Sequence, residues 1–483
     1  MLGIDFGSQF YKAVLVKPGS PFQIVENTSS QRKTENAMIF TEEERLFEKS
    51  AISQSVGYPK TSMLGSLNLL GLEYNDQNLE TCRNEYLYTS EFLEDERGLI
   101  GYEVNFPGVP DLEGVRFHIE EVIAMILKHT KKLVKVQSNE NIQDITLTVP
   151  SYFTINQRLM LIDAVELAGF KVLSLVHENT AAALMYGIDK NTQVDSKKVM
   201  MINMGSSDLE ISIVHYEKVK AKSKGKDKDI LSVHVLSESS APGIGGNLFD
   251  AELVKILTEK FDSLPEREGK ESVFGDEKIK RRLMREVPKL KEILSANKET
   301  PVKIVELADL LNLEFILTRE EFENRIAPLI EDTRPAFEKI LSKHPIDTID
   351  DIEILGGGLR VPKIKEFISE VLSNKDLNTH MNPDEAMGFG TAYIAANFST
   401  SYQVQKVYLY QPVPYSVFLN FTQADGCEGK SSEECFTKHL KLYDEDKNVL
   451  GQKKTIGIDN HVEKMDYVLY KINEDGSEQK VIL

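Results

Sequence analysis

A glycine turn that occurs twice constrains this chain more than any other feature. Ile4-Asp5-Phe6-Gly7-Ser8, followed by Ala13-Val14-Leu15-Val16, is echoed 198 residues later by Ile202-Asn203-Met204-Gly205-Ser206, followed by Ile211-Ser212-Ile213-Val214. Asp144-Ile145-Thr146-Leu147-Thr148-Val149-Pro150 is echoed 207 residues later by Asp351-Ile352-Glu353-Ile354-Leu355 and the turn after it. Two echoes at nearly one spacing imply a duplicated half. Each half runs through a glycine-turn hairpin, polar and helical material, an amphipathic helix, an apolar strand, a loop and another helix. In the first half, Val122, Ile123, Ile126, Leu127, Leu133 and Val134 recur at helical spacing and predict a helix over 119–136. In the second half a comparable stripe starts at Phe322, Ile326, Leu329 and Ile330 and continues through Phe337, Ile340 and Leu341. Strands alternating with helices predict an α/β fold: two lobes of parallel or mixed sheet, covered on both faces, with a cleft between them.

From Ser399 the pattern changes. Alternating runs at Val404–Leu409, Val413–Phe421, Lys438–Tyr443 and Tyr467–Ile472 read as short antiparallel strands of a separate small β unit. The charged stretch Lys218–Asp229 lacks apolar periodicity and reads as a solvated hairpin tip. A length of 483 residues suits about three packing units. No apolar run reaches the roughly 20 residues that cross a bilayer, which argues against membrane insertion. With 57 basic against 76 acidic residues, the net charge of −19 repels phosphate backbones, and nucleic acid is not an expected partner. Only Cys82, Cys427 and Cys435 are present, so disulfides are not the main source of stability, although the short Cys427–Cys435 loop could close in an oxidising compartment. No targeting segment is apparent ahead of the first strand, and the terminal Lys480-Val481-Ile482-Leu483 is not a retention signal.

The chemistry lies in the turns. In Gly3-Ile4-Asp5-Phe6-Gly7-Ser8 a missing Cβ lets backbone approach an anion, and Asp5 could order a hydrated Mg²⁺. The facing copy at Gly205-Ser206-Ser207 supplies what a β- and γ-phosphate pair requires. Gly243-Ile244-Gly245-Gly246-Asn247 precedes an apolar-faced helix, whose N-terminal donors suit an anion. Gly356-Gly357-Gly358 lies between a strand and a helix, where a flat ring could press on bare backbone and Arg360 could stack over it. Taken singly, each turn is equally compatible with a plain structural turn. No G-x-x-x-x-G-K-[ST] string and no Rossmann fingerprint occurs.

Over residues 1–398 these strings resemble the heat shock protein 70 superfamily of actin-like ATPase folds. The likeness is carried by Thr148-Val149-Pro150-Ser151-Tyr152-Phe153, Ala168-Gly169-Phe170-Lys171-Val172-Leu173, Thr180-Ala181-Ala182-Ala183, Gly245-Gly246 with Phe249-Asp250, Gly356-Gly357 with Arg360, and Asn382-Pro383-Asp384-Glu385-Ala386. Within it the chain is most similar to the large lumenal glucose-regulated protein 170, or hypoxia up-regulated, branch. That rests on Val16-Lys17-Pro18-Gly19-Ser20-Pro21 with Ile24-Val25, Arg32-Lys33-Thr34, Glu178-Asn179-Thr180, Met204-Gly205-Ser206 and Leu294-Ser295-Ala296-Asn297. The resemblance implies a nucleotide-binding domain over 1–398, with lobe I at about 1–190 and lobe II at about 191–398, a linker at 399–412, and a partial β-sandwich over 413–483 that resembles a substrate-binding domain. It implies ATP or ADP with Mg²⁺ as ligands. Asp5, Gly7, Ser8, Gln9, Gly205, Ser206, Ser207, Gly245 and Gly246 would surround phosphates and metal, and Lys291, Ser295, Gly356, Gly357, Arg360 and Asp384 would hold the rest of the nucleotide. It also implies the endoplasmic reticulum lumen rather than the cytoplasm, nucleotide exchange for the conventional lumenal chaperone, and unfolded polypeptide as a further partner. The sequons at Asn27, Asn397 and Asn420 are near chance for this length and decide nothing about compartment.

The departures from the family pattern are informative. Leu67 stands where conventional relatives carry a lysine that positions the attacking water, Asn203 replaces an aspartate, Asp208 replaces a threonine near the γ-phosphate, and Glu292 replaces a basic residue at the adenine. These substitutions predict a chain that binds nucleotide and hydrolyses it weakly or not at all. The alternatives are an ATP-hydrolysing folding chaperone, or a sugar-kinase-like enzyme on the same duplicated core, against which the β tail argues.

Overall fold

A computed structural model describes residues 1–190, 196–223, 226–399, 402, 404–413, 415–423, 437–447, 455, 465–472 and 478–481. Cys427 and Cys435, the tip of the predicted charged hairpin at 224–225, and parts of the linker lie outside the described residues.

Two mixed sheets carry the duplication in register. In the first, Leu2–Phe6 pairs antiparallel with Phe10–Leu15 on one side and parallel with Asp144–Val149 on the other, and Lys171–His177 follows at the edge. In the second, Ser196–Met204 pairs antiparallel with Asp208–Ser223 and parallel with Asp351–Leu355. The residues that echo one another therefore occupy the same sheet positions. Leu2, Ile4 and Phe6 are fully buried, as are Met200 and Ile202, because helices cover both faces of each sheet. The described residues thus form the mixed α/β architecture of an actin-like ATPase fold followed by a β unit.

The helix expected at 119–136 spans Ile119–Ser138 and buries Val122, Ile123, Ile126, Leu127 and Val134. The carboxylate of Glu121 accepts the backbone N–H of His118 at 2.8 Å and closes a capping box at its start. The comparable stripe of the second half divides into two helices, Arg319–Glu331 and Arg334–Lys343. Pro335, which has no N–H to donate back into a continuing helix, opens the second of them.

The last helix of each half lies on the opposite lobe. Glu178–Lys190 packs Ala182, Ala183 and Tyr186 against Val199, Met201 and Val214 of the second sheet, whereas Ala386–Asn397 packs Ala392 and Ala396 against Val14 and Val16 of the first. A single cut at residue 190 therefore does not separate the lobes. The two helices cross so closely that a Cβ at Gly390 would sit 2.0 Å from the carbonyl oxygen of Ala181.

The run at Val404–Leu409, read as part of the tail, belongs elsewhere. Val407–Tyr410 docks parallel on Leu231–His234 as the edge strand of the second sheet, where it satisfies backbone groups that would otherwise stay open. The tail comprises Val417–Gln423, Thr437–Tyr443, Met465–Ile472 and Glu478–Val481 in one antiparallel sheet. Among the described residues no helix is long and apolar enough to cross a membrane. The helix crossing gives a direct stability test: Gly390→Ala should cost roughly 2–4 kcal/mol in urea unfolding. Gly357→Ala, where a Cβ would meet nothing within 4 Å, should stay within about 0.5 kcal/mol. Equal midpoints for the two variants would show that the crossing is not tight.

Candidate functional site: the cleft between the lobes

The duplicated strands end at one cavity of about 530 Å³. Asp5, Gly7, Gln9, Gly205, Ser206, Gly246, Lys291, Ser295, Gly356, Gly357, Arg360 and Asp384 line it, so most of the residues singled out from sequence converge here. Gly356 adopts φ +85°, and a Cβ there would lie 2.2 Å from the Met204 carbonyl oxygen, which holds this turn against the second glycine turn. Gly357 keeps open space before it, as an aromatic ring lying flat on backbone requires. The helix Glu277–Ala296 presents Pro288, Lys291, Glu292 and Ser295 along one side at helical spacing. Glu292, the departure from the family's basic residue, thus does reach the cavity.

Three predicted residues do not line this cavity. Ser8 and Ser207 border a neighbouring space of about 290 Å³, and Ser8 Oγ donates to Asn68 Oδ1 at 2.5 Å. Gly245 instead lets the helix Gly246–Asp262 approach the second turn, since a Cβ there would meet Ser206 and Ser207 backbone at 2.6 Å. The same contact corrects the expectation of a ready anion site at that helix start. The Gly246 N–H donates to Gly205 O at 3.0 Å and the Asn247 N–H to Ser206 O at 2.7 Å, so these donors are already used. Lys291 Nζ lies 2.8 Å from Asp250 Oδ1 and donates to Gly246 O at 2.8 Å, which ties the helix Glu277–Ala296 to the same corner.

The positions of expected hydrolytic function have other partners. Leu67 is buried in the first lobe's core and faces the smaller space with Ser8, Ser207 and Tyr152. Asn203 donates from Nδ2 to Glu178 Oε2 at 3.0 Å. Asp208 does not stand as a bare charge toward the cavity: the Tyr152 hydroxyl donates to its Oδ2 at 2.6 Å. Glu210 accepts the N–H and hydroxyl of Ser151. Burial raises the Asp208 carboxyl above the ordinary range. Burial together with the neighbouring acids pushes Glu210 up to about 8 and Glu178 well above the usual carboxylate range. Glu210 therefore keeps its proton at neutrality, and Asp208 meets a hydroxyl donor where the sequence suggested an unpartnered charge.

Several cavity residues were not singled out from the sequence: Lys12, Lys33, Glu178 and Pro288. The signal for Lys12 is the hairpin itself, because Asp5 and Lys12 stand opposite one another in the ladder and their side chains meet at 2.8 Å. Lys33 lies 4.1 Å over the Phe10 ring, and burial, together with the nearby Lys12 and Arg360, pulls its ammonium below the usual lysine range. Arg360 pairs with Asp384 at 2.7 Å at the rim of the cavity. Burial alone would raise the Asp384 carboxyl, but Arg360 holds it low.

A family model described as Hsp70 protein matches residues 1–443. Similar relatives carry the name hypoxia up-regulated protein 1. That of Xenopus laevis is 27% identical over 445 residues, covering 91% of this chain and 66% of the relative. That of Mus musculus is 29% identical over 427 residues, covering 88% and 42%. That of Danio rerio is 27% identical over 481 residues, covering 97% and 47%. The chain thus spans between 42% and 66% of the length of these relatives.

The raised carboxyls set a pH dependence. In the unfolded chain they lose their protons in the ordinary range, whereas the folded chain keeps them until about pH 8 at Glu210. Between those limits the folded state binds more protons, so its stability falls as pH rises. Calorimetry on the ligand-free chain should show a Tm lower by a few degrees at pH 8 than at about pH 5. Glu210→Gln, which keeps an acceptor for Ser151, should flatten that slope. An unchanged slope in the variant would remove Glu210 as its source.

Proposed function

The chain belongs to the Hsp70 protein family, and on that footing we propose that it is a co-chaperone of the endoplasmic reticulum that holds ATP and promotes nucleotide exchange on the conventional lumenal chaperone. The family is one of ATP-binding chaperones, which makes nucleotide the natural occupant of a cleft with two glycine turns facing across it. The observation that carries the reading is Asn203. Its amide is bonded to Glu178, at the place where a carboxylate would otherwise act on a metal-bound water. An amide brings no negative charge there, and losing one preorganised electrostatic contribution typically costs ~10² or more in rate. Leu67 offers neither charge nor donor at the second position, while the residues around the cavity keep their cradle form.

In this reading nucleotide acts as a structural ligand. With ATP in place the two lobes close on it, and the closed form presents one fixed surface to the partner's nucleotide-binding domain, loosening its hold on ADP. The hypoxia up-regulated name of the relatives supports a role under stress. Client binding by the tail and lumenal residence belong to the same proposal.

Two measurements test it. Single-turnover hydrolysis should be slower than that of a conventional family member by about a hundredfold, and Asn203→Asp should raise it by roughly tenfold. Leu67→Lys is a poorer probe alone, because placing an ammonium at a site only 3% exposed destabilises the fold. Turnover at a conventional rate in the native chain would favour the ATP-hydrolysing chaperone instead. Stopped-flow release of labelled ADP from the lumenal chaperone should accelerate when this protein is added with ATP; no acceleration removes the exchange role.

A further inference from the structure

A nucleotide polyphosphate entering the cleft needs counter-charge in a chain whose net charge is −19. The first glycine turn offers one carboxylate for a hydrated divalent cation, and the chain's own groups already engage it. Asp5 Oδ2 accepts from Lys12 Nζ at 2.8 Å, and its Oδ1 accepts from Thr148 Oγ1 at 3.3 Å. The Asp5 and Lys12 side chains are only 5% and 15% exposed, and their position directly opposite one another in the opening hairpin fixes the pair through backbone register. The other acids at the cleft floor likewise have donors: Glu178 from Asn203, Asp208 from Tyr152 and Glu210 from Ser151. Among the described residues no group of three or more His, Cys, Asp or Glu is placed to hold a metal ion. These residues do not fit a protein-built divalent site, which for Mg²⁺ draws on one or two available carboxylates.

The geometry points to Lys12 as the internal cation that takes over this role, contacting the polyphosphate directly so that nucleotide binds whether or not Mg²⁺ accompanies it. An ammonium has three hydrogens, and the bond to Asp5 uses one. Lys12 borders the cavity beside Gly7, Gly205 and Ser206, where the two turns face each other. Other cations around the cavity have separate contacts: Lys291 is bound to Asp250 and the Gly246 carbonyl, Arg360 to Asp384, and Lys33 lies over the Phe10 ring. The Asp5–Lys12 pair is close to neutral as a unit. A phosphate added beside it gains a charge-assisted hydrogen bond without exposing Asp5.

This inference rests on the nucleotide reading above, and calorimetric titration of the native chain with ADP separates the two. ADP should bind in EDTA with a Kd within about threefold of that in Mg²⁺. Lys12→Met should weaken metal-free binding by about tenfold or more, the worth of a hydrogen bond to a charged group, and Lys12→Arg should recover most of it. Loss of binding in EDTA by more than about tenfold, with binding intact in Mg²⁺, overturns the inference and leaves the nucleotide reading standing. Metal-free affinity unchanged in a folded Lys12→Met overturns the assignment to Lys12. No ADP binding in either medium overturns both. If Lys12→Met does not fold, the comparison of EDTA with Mg²⁺ on the native chain still decides the metal question, and Lys12→Arg decides the residue: its metal-free Kd should stay near the native value, and a collapse would count against the assignment.

Discussion

The helix crossing at Gly390 is the constraint on which the rest of the architecture depends. Helix Ala386–Asn397 reaches back to the first sheet and helix Glu178–Lys190 reaches forward to the second, and they meet where no side chain fits between Gly390 and the Ala181 carbonyl. Each lobe is thereby clamped by an element from the other half of the sequence. The strand ends Asp5–Ser8 and Asn203–Ser206 are brought face to face, and the cavity is what remains between them. A looser crossing would widen the cleft at its floor, because packed helices do not stretch to fill a gap.

Electrostatics at that floor follow from the same closeness. Asp208 and Glu210 are buried with the half-buried Glu178 beside them, and several ionised carboxylates cannot coexist there at reasonable cost. The chain meets this in three ways: Tyr152 and Ser151 donate to Asp208 and Glu210, the Asn203 amide donates to Glu178, and Lys12 neutralises Asp5. The result is a floor that resists an anion less than its count of acidic residues suggests.

A second buried network joins the segment around Gln411 to both lobes. The His177 N–H donates to Gln411 Oε1 at 2.7 Å, and its ring lies 2.7 Å from Glu238 and 3.0 Å from Arg158. Burial, reinforced by the neighbouring Arg158, holds His177 well below the ordinary histidine range, and burial pushes Glu238 up to about 8. With Val407–Tyr410 added to the edge of the second sheet, this segment and both lobes share one set of contacts. Moving this segment leaves buried donors and acceptors unpaired, so its position is strongly specified.

The doubled turn was legible in the residues, and with it the two sheets, the cleft and most of the cavity lining from Asp5 to Asp384, because strand ends and glycines are local signals that recur with the duplication. The exchange of the terminal helices was not legible, since Ala182 and Ala392 read simply as apolar positions whichever sheet they cover. Nor was the docking of Val407–Tyr410 on lobe II, which depends on an edge strand more than 170 residues away. The sequence by itself determined most of the cavity lining and the uncharged side chains at Leu67 and Asn203: residue identity is chemistry that no fold restores. Only the tertiary structure decided what those side chains do to one another, from the raised carboxyls of Glu210 and Glu178 to the partner of Asp5, because burial and distance set the charge of a group and neither is written in its name.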